Sequence, residues 1–323
     1  MTRAGGPGEA PGSVFSMLQR AFGDAEMAAI FSEAATVEAW LRTEAALARA
    51  QAASGDLTSQ RADAIAAACR LENIDLPALW RETANVGYPI LPLVRQIDAA
   101  LPPSERGSVH YGATTQDIMD TGLSLQLAAA IERLVLLAAA LGDALAARAE
   151  AEAATVMAGR THGQQAVPTT LGAKLATYLW QCRDLLRDLL ELRPRVCVVS
   201  LHGAGGTSAG FGASANAVRA AVAGELGLAL PDGPWHVRRD GLAAFGAACS
   251  RAAATCARLA REVIDLSRTE IGEIGESAGH HRGASSTMPQ KANPLDSEAV
   301  VGMAASATAT AGSLYRAIEA GHE

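Results

Sequence analysis

The feature that most constrains this chain is a long stretch without a helix breaker, from Leu123 to Met157. It runs about 35 residues with no proline and a single glycine, Gly142, and a helix of that length would span about 50 Å at 1.5 Å per residue. Thr169 to Arg193 and Arg238 to Ile274 repeat the pattern, with Leu and Ala on one face and charges on the other. The sequence therefore predicts an all-α protein built on a bundle of long helices.

The composition agrees with closely packed helices. Hydrophobic residues make up 49% of the chain and aromatic residues only 4%, so most of the apolar volume comes from Ala, Leu and Val, which disfavours a β-sandwich or a barrel. Val196 to Ser200 could form a short strand, but no alternating β-α pattern surrounds it.

The chain of 323 residues suggests about two domains. Apolar residues recur at helical spacing in the first hundred residues, and Pro102 and Pro103 then stop a helix. We expect a disordered arm at 1–14, because it is rich in Gly and Pro without an apolar core, a helical domain at 15–105 and a long-helix domain at 106–323.

Charge and hydropathy exclude several classes of function. The net charge of -7 gives no general attraction to nucleic acid or to an anionic membrane. The longest apolar run, Leu134 to Leu141, is far short of the roughly 20 residues of a membrane span. The five cysteines include no C-x-x-C pair, which is typical of reduced thiols. We expect a cytoplasmic protein without nucleic-acid or membrane partners.

Three short polar segments interrupt the helical pattern. Each concentrates hydroxyls, amides and a His or Lys around glycines, which suits the binding of carboxylates by many directed hydrogen bonds. Helix capping by Ser and Thr is the alternative interpretation. The first polar segment is His110–Asp117, the second is Gly159–Gln165 and the third is Gly283–Pro294.

The lysines single out the third polar segment. Of 27 basic residues only two are lysines, Lys174 and Lys291, and Lys291 lies inside this segment. Because Lys is a compact point charge and Arg a planar fork, a site shaped for one oxyanion can require Lys.

The three polar segments together resemble the fumarase/aspartase superfamily, in the branch that contains 3-carboxy-cis,cis-muconate cycloisomerase and adenylosuccinate lyase. Residues 284–294 read Ala-Ser-Ser-Thr-Met-Pro-Gln-Lys-Ala-Asn-Pro and match the signature Gly-Ser-Ser-x-Met-Pro-x-Lys-x-Asn-Pro apart from Ala284. The stretch from Pro234 to Asp240 is similar to one on the cycloisomerase side. The resemblance runs from about Phe15 to the last residue.

The resemblance implies an acid–base mechanism. Ser285 matches the general base that removes a proton next to a carboxylate, and Lys291 with backbone N–H groups would stabilise its alkoxide. His162 matches the residue that protonates the leaving group, and Glu298 matches the carboxylate that orients it. His110 matches a position near the distal part of the substrate, although a His that caps its own loop is the alternative. The remaining matches are substrate-binding positions: Thr114, Thr115, Gln116, Thr161, Ser286, Lys291 and Asn293.

The resemblance also implies a homotetramer whose active sites are each assembled from three subunits, a small dicarboxylate as substrate, and no cofactor. His280 and His281 are adjacent and lack an evident carboxylate partner, so we assign no metal site. The chain ends at Glu323, where relatives continue into a small C-terminal helical domain, and we expect that domain to be missing or short.

Departures from the family pattern bear on the substrate. Adenylosuccinate lyases carry Arg-His-Asp before the first polar segment, whereas this chain reads Asn85 to Pro89, which argues against adenylosuccinate. Many members carry arginine where this chain has Ala292. The lost cation favours β-elimination of a nitrogen group from a substituted succinate, with release of fumarate, over cycloisomerisation.

Two other interpretations need weighing. Residues 206–210 read G-x-S-x-G after a His-Gly-Ala-Gly-Gly stretch, as in a serine hydrolase with Ser208 as nucleophile. The hydrolase fold needs a multistranded parallel sheet, and the same glycines lack the β-α-β unit of a dinucleotide site. Structural proteins with this fold also exist, but a scaffold has no need of a base on a loop.

Overall fold

The computed structural model describes residues 17–276 and 283–322. The expected arm at 1–14 and the pair His280 and His281 lie outside these residues. In the first third of the chain, short and medium helices follow one another. They are α1 (Met17–Phe22), α2 (Ala25–Ile30), α3 (Glu33–Ala53), α4 (Ser59–Ala68), α5 (Leu76–Val86) and α6 (Ile90–Ala100).

Long helices form the rest of the molecule. The elements are α7 (Thr115–Ala151), β1 (Val156–Thr161), β2 (Gln164–Thr170), α8 (Leu171–Val196), α9 (Ala215–Leu226), α10 (Asp240–Leu266) and α11 (Leu295–Gly312). α7 packs against α8, α8 against α10, and α10 against α11. The prediction of an all-α bundle is confirmed.

The helix boundaries differ from the predicted ones where β-structure intervenes. The predicted long helix to Met157 ends at Ala151 and is followed by the antiparallel hairpin of β1 and β2. Val156, Val167 and the threonines of this stretch favour strands, and the hairpin was missed. The short strand considered at Val196 to Ser200 does not form, because α8 continues to Val196 and this stretch makes a single isolated bridge, between Val198 and Ala229.

Two apolar clusters form the core. One joins α3 to α6 with the start of α7, the 199–211 loop and α9, through residues such as Leu41, Leu93 and Ile118. The other lies between α7, α8 and α10 around Ile131 and Leu189. The first cluster contains residues from both sides of position 105, so the domain boundary there stays a prediction.

Close approach of α7 and α8 depends on glycine at the start of α8. A Cβ on Gly172 would lie 2.4 Å from the carbonyl oxygen of Ala149 and 2.7 Å from the Cα of Ala153. Since the end of α7 and the start of α8 touch backbone to backbone, no side chain fits between them.

α7 is long and apolar enough, by length and composition alone, to cross a membrane. A core helix of a water-soluble protein meets the same criterion, and 44% of its most apolar 18-residue window is buried within the chain. Arg133 on this helix pairs with Asp24 at 2.6 Å and with Glu26 at 2.9 Å. Packing against α3 and α8 accounts for part of its apolar surface.

Candidate active site

The first polar segment ends in the N-terminus of α7. Thr114 occupies the N-cap with extended backbone, and the Asp117 carboxylate accepts a hydrogen bond from the Thr114 N–H at 3.0 Å. Thr115 and Gln116 lie in the first turn, where backbone N–H groups lack intrahelical acceptors. Hydroxyls beside the positive end of a helix suit a bound carboxylate.

A buried carboxylate holds this segment in place. Asp117 accepts hydrogen bonds from the backbone N–H of His202 at 2.9 Å and of Gly203 at 2.8 Å, and its Oδ1 lies 2.7 Å from Nε2 of His236. A Cβ on Gly112 would lie 2.8 Å from the carbonyl oxygen of Gly210, so the two loops pack without side chains between them. The glycine-rich loop and the 234–240 stretch therefore brace the first polar segment.

This arrangement also decides against the hydrolase interpretation. Oγ of Ser208 accepts a hydrogen bond from Arg219 at 2.8 Å, and no histidine bonds it among the described residues. Burial lowers the pKa of nearby His202 to about 4, and its buried Nε2 has no hydrogen-bond partner among the described residues. A serine needs an adjacent base to act as a nucleophile, and none is provided here.

Gln116 faces inward with its amide nitrogen. Its Nε2 donates to Oδ1 of Asp120 at 2.8 Å, and Arg239 donates to the same oxygen at 2.8 Å. Because a side-chain amide carries two N–H donors and one is used here, its second N–H and its carbonyl oxygen remain for a ligand. The expected contact of Gln116 with a substrate carboxylate is compatible with this arrangement through the second N–H.

His110 is held from the side of α3. Its Nδ1 lies 2.6 Å from Oε1 of Glu44, and Glu44 is buried. The backbone of His110 is left-handed, with φ of 66°. His110 lies four residues before the Thr114 N-cap, so the expected distal binding residue is on the same short segment as the threonines.

The second polar segment forms the turn of the hairpin. His162 and Gly163 both have positive φ, 50° and 73°, as a two-residue turn that matches the twist of its strands requires. Thr161 and His162 are exposed at this tip. Arg160 forms two hydrogen bonds with Glu273, at 2.6 and 2.8 Å, and these attach the hairpin to the chain after α10.

The third polar segment is a loop closed at its base. Asn293 donates both its backbone N–H and its side-chain Nδ2 to the carbonyl oxygen of Gly283, each at 2.9 Å. Within the loop, Oγ of Ser285 accepts from the N–H of Met288 at 3.1 Å and from that of Thr287 at 3.3 Å. Two N–H donors on one hydroxyl oxygen favour its ionised form.

The other predicted residues of this loop face outward. Ser286 and Lys291 are exposed, and Lys291 forms no ion pair with the described residues, whereas Lys174 pairs with Glu262 between α8 and α10. Glu298 is exposed in the first turn of α11. No hydrogen bond joins Glu298 to His162 among the described residues, so the expected pair is not formed within the single chain.

The predicted residues lie at two ends of the molecule. Those of the first polar segment lie at the start of α7, and the hairpin follows its end, which is about 55 Å away for 37 residues. The third polar segment lies near the hairpin, because Glu273 binds Arg160 while Glu276 accepts from the N–H of Ser297 at 2.7 Å. Within one chain the residues of each polar segment lie together, but the three segments do not meet.

Several residues of the site were missed by the sequence reasoning. Asp117 and Asp120 lie at the start of α7 itself, whereas Glu44, His236 and Arg239 reach this region from other elements. Two of them carried a local signal: Asp117 as an acidic residue three positions after a Thr N-cap, and Glu44 as a charged residue within an apolar helical face. The missed residues are Glu44, Asp117, Asp120, His236 and Arg239.

Known proteins resemble this chain over nearly its whole described length. A match to the family described as "Lyase" covers residues 23–308. The 3-carboxy-cis,cis-muconate cycloisomerase of Pseudomonas aeruginosa is 43% identical over 93% of this chain and 66% of its own length. The nitrosuccinate lyase of Streptomyces davaonensis is 39% identical over 83% of this chain and 58% of its own.

A solved structure agrees with the sequence comparison. The crystal structure of 3-carboxy-cis,cis-muconate lactonizing enzyme from Pseudomonas putida superposes with a TM-score of 0.89 at 37% identity, and covers 95% of this chain and 69% of that one. The chain thus spans about two thirds of the length of the cycloisomerases it matches. The family match, the relatives and the shared helical bundle agree, and the chain belongs to the lyase family of the fumarase/aspartase superfamily.

Proposed function

We propose that the protein is a cycloisomerase that closes a 3-carboxymuconate to its lactone. The observation that carries the proposal is 43% identity to a 3-carboxy-cis,cis-muconate cycloisomerase over 93% of the chain. This ordering reverses the preference for nitrogen elimination that Ala292 suggested. One missing arginine is a weaker argument than similarity along the whole chain, because the substrate also contacts residues outside the signature.

Lactone closure and β-elimination use the same chemistry in opposite directions. In closure, a carboxylate oxygen bonds to one alkene carbon and a proton is added to the neighbouring carbon, so no atom enters or leaves. In elimination, a base removes that proton and the bond at the β-carbon breaks. Both routes pass through a carbanion stabilised by the adjacent carboxylate, which carries a second negative charge.

Ser285 is the residue we assign to the proton transfer. Its Oγ already accepts the N–H groups of Met288 and Thr287, which stabilise the alkoxide without moving during the reaction. Lys291 supplies a positive charge on the same loop. For closure, the Ser285 hydroxyl gives its proton to carbon; for elimination, the alkoxide takes it.

The first polar segment is assigned to carboxylate binding. Thr114 and Thr115 present hydroxyls at the N-terminus of α7, where backbone N–H groups and the helix dipole favour the charge that develops in the intermediate. In lactone closure the oxygen that bonds to carbon belongs to a carboxylate, and in the reverse reaction the same carboxylate is released as a stable anion. His162 therefore has a smaller role in this reaction than in elimination of a basic amine.

Elimination from nitrosuccinate is the second candidate, on the ground of 39% identity to a nitrosuccinate lyase. Its products would be nitrite and fumarate. Nitrite is also a stable anion, so the same residues would serve. The leaving group decides between the two candidates.

We further propose that the site is completed by other copies of the chain in a homotetramer. The first polar segment lies at the start of α7 and the hairpin follows its end, about 55 Å along the helix, so one chain cannot surround a small substrate with all three segments. Large apolar side chains on α7 and α8 are exposed, among them Leu136 at 64% and Trp180 at 58%. Such faces are buried when long helices of several subunits pack together.

The test is a substrate panel with lactone and fumarate as separate readouts. 3-Carboxymuconate is followed by loss of the conjugated diene and by NMR of the product, and nitrosuccinate by nitrite release. We expect lactone formation without fumarate. Nitrite release with no lactone would transfer the assignment to the second candidate.

Ser285→Ala tests the assigned proton donor. We expect loss of turnover on the order of a thousandfold, because no neighbouring residue can carry the proton, with an unchanged fold by circular dichroism. Ser306→Ala, an exposed serine on α11, is the matched control and should keep full activity. A Ser285→Ala enzyme with more than about a tenth of the original kcat would exclude this role.

A further inference from the structure

A second buried charge near the candidate site, besides Asp117, is the carboxylate of Glu44. The residue is 1% exposed and lies on α3, whose other buried side chains are mostly apolar. One oxygen, Oε1, lies 2.6 Å from Nδ1 of His110. The other, Oε2, has no hydrogen-bond partner among the described residues. A carboxylate in such a place is costly unless a cation lies against it.

α3 fixes the His110 segment at a second point. Nε2 of Gln51, seven residues after Glu44, donates to the carbonyl oxygen of Tyr111 at 2.7 Å. The two contacts hold the backbone of residues 110–111 against one face of α3, and His110 keeps its left-handed conformation there. The imidazole can therefore turn only little relative to Glu44.

The orientation of the ring leaves one nitrogen available. Nδ1 faces Glu44 in the core, and Nε2 is on the opposite edge of the ring. The side chain of His110 is 19% exposed, against 1% for Glu44. The backbone hydrogen bond from Ala113 N–H to the His110 carbonyl, at 3.3 Å, closes the turn that leads from His110 into Thr114.

The charges around His110 favour its protonated form. Burial acts to lower the pKa of His110, but the Glu44 carboxylate on α3 outweighs it by charge and hydrogen bonding, and Asp117 on α7 adds to the effect. The net pKa of His110 is raised above its usual value. No cationic group of the described residues is among the charges that shift its pKa.

We propose that Glu44 is a positioning residue that holds His110 as an imidazolium, with Nε2–H offered to a carboxylate of the ligand beside the N-terminus of α7. The inference rests on the proposed function and narrows its substrate class to acids with a further carboxylate beyond the one at the reacting carbon. 3-Carboxymuconate, with three carboxylates, is such an acid. A hydrogen bond from a cation to a carboxylate is about twice as strong as one between neutral groups.

The first experiment measures the charge of His110 without any substrate. Protein labelled with 13C at histidine Cε1 is titrated by NMR, and His110→Gln assigns the resonance. We expect His110 to titrate above the usual 6.5 or so, and Glu44→Gln to lower that value by at least one unit, since the amide keeps an acceptor but loses the charge. Glu44→Asp keeps the charge and should restore much of the shift.

Glu38→Gln is the matched control. Glu38 is exposed on the same helix, and its replacement should leave the His110 titration unchanged. Equal His110 titrations in the original protein and in Glu44→Gln would overturn the proposal, as would a His110 that titrates below about 6.5 in the original protein.

The second experiment measures what the charge does. Binding of tricarballylate, a non-reacting tricarboxylate, is followed by calorimetry between pH 5.5 and 8.5, with succinate for comparison. We expect the affinity for tricarballylate to fall as the pH rises through the pKa of His110. For each unit by which Glu44→Gln lowers that pKa below 7, binding at pH 7 should weaken about tenfold. Succinate should respond less.

Kinetics separate a positioning role from a general loss of structure. In lactone formation, Glu44→Gln should raise KM while kcat at saturation changes less than about twofold. A fall in kcat as large as the rise in KM would contradict the proposal. If no substrate of the panel reacts, the proposed function fails, and the titration and the tricarballylate binding still decide the role of Glu44.

Discussion

At the scale of single residues, Asp117 is the side chain on which the first polar segment depends most. Among the described residues, its two oxygens accept from three backbone N–H groups and the Ser200 hydroxyl and contact the His236 ring. Asp117→Asn places an amide N–H₂ group against some of these donors, and we expect the free energy of unfolding to fall by about 3 kcal/mol. Urea denaturation measures this. Asp143→Asn, an exposed change on the same helix, should cost little; equal losses would contradict the prediction.

Two histidines give opposite pH dependences of stability. For His202 the folded pKa is lowered to about 4, chiefly by burial, so the unfolded state binds more protons and stability falls as pH drops from about 6.5 towards 4. For His110 the folded pKa is raised, so its contribution is complete below about 6.5 and is lost as pH rises through the folded value.

The measurement is the free energy of unfolding between pH 4 and 8. We expect His202→Phe to flatten the acidic limb, because the apolar ring does not titrate, and His110→Gln to alter only the limb above about pH 6.5. Acid sensitivity that persists unchanged in His202→Phe would mean that other groups cause it.

The sequence points to candidate site residues where they share a segment and misses contacts between residues far apart in the chain. Thr114, His162 and Ser285 stand in recognisable motifs, and the structure places each in a cap, a turn or a loop. Glu44 is 66 residues from His110. Their contact follows from the packing of α3 against the start of α7, which no local pattern encodes.

At the scale of elements, helix periodicity finds the three long helices but locates only some of their ends. Both ends of α8 and the start of α10 lie within three residues of the predicted positions. The larger misses are the start of α7, predicted at Leu123 and observed at Thr115, and the predicted ends at Met157 and Ile274, where the observed helices end at Ala151 and Leu266. A run of apolar residues is compatible with helix or strand over short lengths, and the hairpin between the two helices was hidden for that reason.

Replacement of glycine by alanine should change the free energy of unfolding in opposite directions at two helical positions. Gly172→Ala would press a methyl group against backbone atoms of Ala149 and Ala153, and we expect a loss of about 1–3 kcal/mol in the free energy of unfolding. Gly224→Ala meets nothing within 4 Å on α9 and should gain about 0.5–1 kcal/mol from helix propensity. Thermal or urea unfolding of both variants provides the comparison. A stabilised Gly172→Ala would show that the junction of α7 and α8 can open.

At the scale of the whole molecule, α7 contributes to the core and, because of its length, separates the parts of the candidate site. Its start carries the threonines proposed to bind carboxylates, and the chain beyond its end carries the hairpin and lies near the loop of Ser285. The same helix leaves Leu136 and Leu137 exposed. A rigid helix of this length prevents the two ends from meeting within one chain, so the proposed assembly would bring together what the fold keeps apart.

Mixing inactive variants tests that assembly directly. Ser285→Ala and Thr115→Val damage opposite ends of the chain. If the site combines ends from different copies, a mixed oligomer contains some sites with neither change, and co-expression should recover part of the activity that each variant lacks alone. Ser285→Ala mixed with Lys291→Met is the matched control, since both changes lie on one loop and every third polar segment in the mixture carries one of them. We expect recovery in the first mixture, none in the second, and a tetramer by sedimentation. A stable, fully active monomer would defeat the proposal, and so would a tetramer in which the first mixture stays inactive, because its sites would then lie within single chains.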